Sequence, residues 1–187
     1  IYTTAGYAAL AQTELESLCR AADRPLRTVT GEVGNRYPQD ILLDALPLGG
    51  LLFCLPRATA PELISHHAYR TVAVKQGYAK CASLPIGEAT LASADPSILG
   101  AAARAGLETV RLTAGGIVLN GYSTGLIGGA TSFAPYGGCD IVFFCGDPGR
   151  YPDGAKLTAA ITAHGMRVCG IPDEPLTDVG TVFLLEC

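Results

Sequence analysis

Cys81 is the thiol with the most basic surroundings: Lys80 precedes it directly and Lys75 lies just upstream. A neighbouring cation lowers a thiol's pKa and favours the nucleophilic thiolate. Adjacent residues on a strand point to opposite faces, so Cys81 reads either as that nucleophile or as a buried core thiol. Asp44 and Asp178 interrupt apolar stretches. A carboxylate in such a place must be hydrogen-bonded, paired or wet. Asp178 has a local option, because the turn over residues 175–180 offers backbone N–H groups. Two carboxylates facing one cavity would suit a cationic ligand such as a guanidinium, held by bidentate contacts. Tyr122 reads either as a residue that stacks on such a ligand or as a core tyrosine.

The remaining polar residues point to structural roles. Asp95 and Asp147 each precede a proline and a helix-like stretch, the position of an N-terminal cap or Asx turn. Asp153 is expected to start its helix in the same way. His66 and His67 are adjacent, so on a helix they would face about 100° apart and not share a metal; they read as surface residues. His164 precedes Gly165 at a predicted helix C-terminus, where the helix dipole favours a protonated imidazole. The glycine-rich stretch 121–129 has neither the order of a phosphate loop nor that of a dinucleotide fingerprint. No zinc-ligand spacing occurs, and no cofactor or metal is expected.

These residues are carried by a degenerate repeat. Leu46-Pro47-Leu48-Gly49 returns as Leu84-Pro85-Ile86-Gly87, and each copy turns through glycine into a second extended run. That is a hairpin pattern. Ala94-Asp95-Pro96 returns as Gly146-Asp147-Pro148. Apolar residues at helical spacing follow over residues 96–105 and 153–164, each stretch closing at a glycine. Strands are expected next, over 107–112 and 166–171. The unit is strand, strand, helix, strand. Hairpin-bearing units are expected near 40–57, 77–95 and 121–147. A fourth is split across the termini, with a helix over 13–22, a strand over 26–30, and a lone strand over 181–185. Pairing of that last strand beside the N-terminal segment would close a ring and hide both edges.

Composition sets the outer limits. The chain has 187 residues, 49% of them apolar and 16% charged. That suits one domain over 1–187 with a real core, and excludes a disordered chain. Thirteen Lys and Arg against 17 Asp and Glu leave a net charge of -4, which gives no basic surface for a nucleic-acid backbone. No apolar run reaches the roughly 18–20 residues of a membrane span. The start, Ile1-Tyr2-Thr3-Thr4-Ala5-Gly6, does not read as a signal peptide. Seven cysteines, an odd number without a C-x-x-C pair, read as reduced thiols and point to the cytoplasm.

Repeated strand–strand–helix–strand units in a ring resemble the pentein fold, the α/β-propeller of guanidine-modifying enzymes and of one ribosome anti-association factor. Gln76-Gly77-Tyr78-Ala79-Lys80-Cys81, the string from Gly121 to Ala130, and Leu176-Thr177-Asp178-Val179-Gly180 resemble a bacterial protein family without an assigned reaction. The resemblance implies an α/β, pentein-like propeller of about four units around a central channel. It also implies that pore-lining residues carry the function: Asp40 and Asp44, then Gln76, Tyr78, Lys80 and Cys81, then Asn120 and Tyr122, then Asp178. The guanidine-modifying enzymes use a cysteine near the C-terminus, a histidine and paired acids. Here Cys187 is the final residue, and no histidine sits in a copy of that motif. The catalytic set expected is therefore Cys81 with Asp44 and Asp178, and the ligand contacts expected are Lys80, Tyr78, Tyr122 and Asn120. The function expected is binding or hydrolysis of a small guanidine- or amine-bearing molecule. The alternative is a non-catalytic protein that binds a protein partner, as the anti-association factor does.

Overall fold

A computed structural model describes residues 1–136 and 138–184; of Tyr136 only the backbone is described. Three sheets have one design. β3 (Leu46–Leu48) and β4 (Leu51–Cys54) form an antiparallel hairpin, α3 (Pro61–Ile64) crosses over, and β5 (Arg70–Ala73) returns parallel to β4. β6 (Ser83–Ile86), β7 (Thr90–Ser93), α4 (Pro96–Arg104) and β8 (Glu108–Arg111) repeat this. So do β9 (Thr131–Tyr136), β10 (Cys139–Phe144), α5 (Gly154–Ala163) and β11 (Arg167–Gly170). In each sheet the second strand is central. These are the first, second and third units below.

Local chemistry explains the pieces. Leu48 pairs with Leu51 across Gly49 and Gly50, both at positive φ (55° and 73°). A two-residue hairpin turn of this kind needs that conformation at both positions. Asp95 caps α4 by accepting from the N–H groups of Ser97 and Ile98, and Pro96 fills the first turn, where no N–H partner is needed. Ile98, Leu99, Ala101 and Ala102 are its buried face. Asp147 likewise accepts from the N–H of Gly149. Asp153 differs from expectation. It stands at the start of α5 without capping it, because its carboxylate accepts from Thr113 N–H at 2.5 Å and pairs with Lys156 at 2.9 Å.

The N-terminal segment supplies part of a fourth unit. β1 (Tyr2–Thr4) pairs in parallel with β2 (Arg27–Val29), with α1 (Ala5–Leu10) and α2 (Gln12–Ala22) between them. Among the described residues no strand pairs with the other edge of β1. The lone strand expected over 181–185 is not found: residues 181–184 form no strand, and Leu185 lies outside the described residues, as does Cys187. Phe183 instead lines a groove of about 480 Å³ together with Ile1, Tyr2, Thr3, Thr4 and Leu43. Upstream of that segment, Val118 and Thr177 form an isolated parallel bridge.

Two apolar clusters meet at the second unit. One joins Leu46, Leu48, Leu51 and Phe53 to Leu91, Ile98 and Leu99. The other joins Leu84, Ile86 and Ala92 to Val142, Phe144, Leu157 and Ile161. Among the described residues no helix is long and apolar enough to cross a membrane.

Candidate functional site

The chemistry-bearing residues gather where the units meet, but on loops rather than on pore-lining strands. Asp44 lies between a 3-10 turn (Gln39–Ile41) and β3. Gln76, Tyr78, Lys80 and Cys81 lie between β5 and β6. Strand pairing begins only at Leu46 opposite Phe53 and at Ser83 opposite Ser93, so the residues before these have no ladder to join. Asn120 and Tyr122 occupy an exposed turn after β8, and Asp178 lies in the segment after β11.

Asp44 and Cys81 meet directly. The Asp44 carboxylate accepts the N–H of Lys80 at 2.6 Å. It also lies close enough to the thiol and the N–H of Cys81 for both to favour its charged form. Burial pushes the Asp44 carboxyl above its ordinary range, against the pull of those bonds and of the Lys80 charge. Cys81 is half-buried. Burial pushes its thiol far up, and the charge of Asp44, the bond to Asp44 and the charge of Asp178 push the same way; Lys80 alone pulls down. The resting thiol is therefore protonated and donates. The activation expected from Lys80 acts in the expected direction and is outweighed by desolvation.

Lys80 is engaged with the chain itself. Its ammonium donates to Gly128 O at 2.7 Å, Gly180 O at 3.0 Å and Thr181 Oγ1 at 3.1 Å. Gly180 O also lies 3.7 Å from Cys81 Sγ. Asp178 is 9% exposed. It accepts Leu126 N–H at 2.8 Å and, within its own turn, Gly180 N–H at 2.9 Å. Gly129 makes that possible: a Cβ there would lie 2.0 Å from Asp178 Oδ1.

A tyrosine group stands beside this cluster. Tyr78 donates to Asp40 Oδ2 at 2.5 Å, and its ring lies 6.1 Å from that of Tyr37. The bond to Asp40 holds the Tyr78 phenol far above its ordinary range, with burial adding to it. Asp40 Oδ1 is buried without a partner. Tyr122 is 75% exposed and close enough to Tyr78 to act on it electrostatically, so the core reading of Tyr122 fails. Asn120 is exposed in the same turn as Tyr122.

The three histidines are occupied elsewhere. His66 stacks on His67 at 5.1 Å and packs against Tyr69. His164 Nε2 lies 3.0 Å from Thr90 Oγ1 and its Nδ1 lies 2.9 Å from Ala160 O. Sequence reasoning misses the carbonyls of Gly128 and Gly180 and the hydroxyl of Thr181. The Gly128-Gly129 pair is the signal that was available, since paired glycines mark close backbone approach. Among the described residues no group of three or more His, Cys, Asp or Glu is placed to hold a metal ion.

Over residues 11–183 the sequence matches DUF6873, described as a family of unknown function. No curated protein sequence matches the chain. Among solved structures, the chain is similar to agmatine deiminase from C. jejuni, with a TM-score of 0.57, 10% identity, and coverage of 97% of this chain and 68% of that one. It is similar also to a cysteine-to-serine variant of that enzyme with substrate bound, with a TM-score of 0.55, 11% identity, and coverage of 91% of this chain and 61% of that one. The chain thus spans between three fifths and about two thirds of the length of the enzymes it matches. At these identities the likeness is one of fold, and the fold is the pentein-like α/β arrangement.

Proposed function

The chain belongs to the DUF6873 family of unknown function, and from its pentein-like fold and its site we propose that it binds a small guanidine- or amine-bearing molecule where Asp44, Cys81 and Asp178 converge. The observation that carries this reading is the 2.6 Å bond from Lys80 N–H to the Asp44 carboxylate, which sets that carboxylate beside Cys81. A carboxylate touching a thiol is a ready proton acceptor, and a carboxylate is also what orients a guanidinium. A cation bound between Asp44 and Asp178 would add to the field of Lys80 and offset the burial that now keeps Cys81 protonated. In this reading Cys81 is the nucleophile. Asp44 and Asp178 orient the ligand, Lys80 holds the loop that carries Cys81, and Tyr78, Tyr122 and Asn120 flank the approach. The substrate-bound cysteine-to-serine variant among the similar structures is an enzyme acting on agmatine, which makes agmatine the first probe to use.

Calorimetric titration with agmatine is the test. The unaltered chain should bind it, Cys81→Ser should bind it as well, and Asp44→Asn should bind it about tenfold more weakly or worse, a loss of ~1.4 kcal/mol. Binding unchanged by Asp44→Asn, or no binding by the unaltered chain, overturns the reading. One observation favours the second reading, a non-catalytic protein-binding role: each histidine is engaged away from the thiol. Capture of a defined protein partner by a chain that ignores agmatine would decide for it.

A further inference from the structure

A cavity of about 350 Å³ lies beside the Lys80 ammonium, between the first strands of the second and third units and residues 181–184. Its volume falls within the ~300–1,000 Å³ usual for small-molecule sites. Most of its wall is apolar, including Leu84, Phe133 and Phe183. Five polar side chains break that wall: Lys80, Ser83, Thr131, Ser132 and Thr181. Ser83 is only 1% exposed, and its Oγ is buried without a partner. A buried hydroxyl left unpaired is rare in native proteins and calls for an occupant. Thr131 Oγ1 donates to Ile127 O at 2.8 Å and retains capacity as an acceptor.

Charge decides what the occupant is. Among the described residues the cavity is lined by no Asp or Glu, and the one charged group there is the Lys80 ammonium. Two of that ammonium's partners are fixed carbonyls, and the third is the hydroxyl of Thr181 on an exposed residue. A stronger acceptor can replace a hydroxyl without disturbing the two carbonyls, and a carboxylate is that acceptor. We propose that this cavity binds a small monocarboxylate with an apolar body, its head group shared by Lys80 Nζ and Ser83 Oγ. The cavity adjoins the cationic-ligand site at Asp44 through Lys80 and takes a ligand of opposite charge.

Hexanoate is the probe, with hexylammonium as its charge-reversed control, and both are followed by amide chemical shifts on the whole chain. Hexanoate should saturate in the millimolar range or below and shift Ser83, Gly128 and Thr131. Hexylammonium should leave those amides unmoved. Lys80→Met should weaken hexanoate about tenfold or more. Ser83→Val, which removes the hydroxyl and fills space while keeping the loop that Lys80 ties, should weaken it severalfold. The proposal is overturned if hexylammonium shifts the same amides, if hexanoate does not saturate, or if Ser83→Val binds it as the unaltered chain does. Lys80→Met touches both sites, whereas Ser83→Val tests this cavity and Asp44→Asn the other, so the two proposals fail separately.

Discussion

Asp178 shows what a single residue requires of its surroundings. Its two oxygens are held by Leu126 N–H and Gly180 N–H, and the carboxylate can sit there only because residue 129 has no side chain. Gly129→Ala places a methyl group 2.0 Å from Asp178 Oδ1. Overpacking of that kind costs about 1–3 kcal/mol, so urea unfolding should show a loss of that order for Gly129→Ala. An unchanged midpoint would mean that Asp178 moves freely. At this scale the sequence is a partial guide. It marks Asp178 as a carboxylate with N–H donors in its own turn, and that bond is present. It marks Cys81 and Asp44 as unusual, yet their contact joins loops of two different units, and no local pattern encodes it. The Lys80 case is instructive. Proximity in sequence suggests that Lys80 serves Cys81, whereas burial dominates the thiol and the ammonium spends its bonds on carbonyls.

Elements are far more legible than sites, because turn and cap chemistry is local. The Gly49-Gly50 turn, the Asp95-Pro96 start of α4 and the Asp147-Pro148 turn all carry their geometry in two or three residues. Asp153 escapes the pattern because Thr113, on a distant loop, offers it a better-placed N–H. Burial pushes Asp95 upward, but the Ser97 hydroxyl, the N–H groups of Ile98 and Ser97, and Gln76 together hold its carboxyl below the ordinary value. Asp95→Ala should therefore cost about 1 kcal/mol at neutral pH, the usual worth of such a cap. The sign of the pH dependence follows. A depressed folded-state pKa stabilises above the unfolded value of about 3.9 and loses that contribution as the pH falls through the folded value. Urea midpoints of the two proteins should thus converge in acid. A gap that persists or widens there would assign the loss to something other than the ionised cap.

Across the whole molecule, stability should be graded. The second unit contributes to both apolar clusters, whereas β1, α1, α2 and β2 contribute to neither. Buried apolar contact is what resists local opening. Amide exchange should be slowest in β6 and β7 and fastest in the N-terminal segment. Equal protection across the chain would contradict a shared central unit. The repeat behind this grading is visible in the sequence, as is the fold class. The closure of a ring is not, because a strand-like composition over 181–185 says what a segment tolerates and not which edge is offered to it.

The groove shared by Phe183 and the first four residues bears on how the units are ordered. Positions at opposite extremes of the sequence are neighbours in space, so the succession of units around the fold is not fixed by their succession along the chain. A circularly permuted version of this sequence, its two ends joined by a short linker and the chain opened in the exposed turn at Asn120 and Tyr122, should retain all three sheets and both apolar clusters, which circular dichroism and urea unfolding would check.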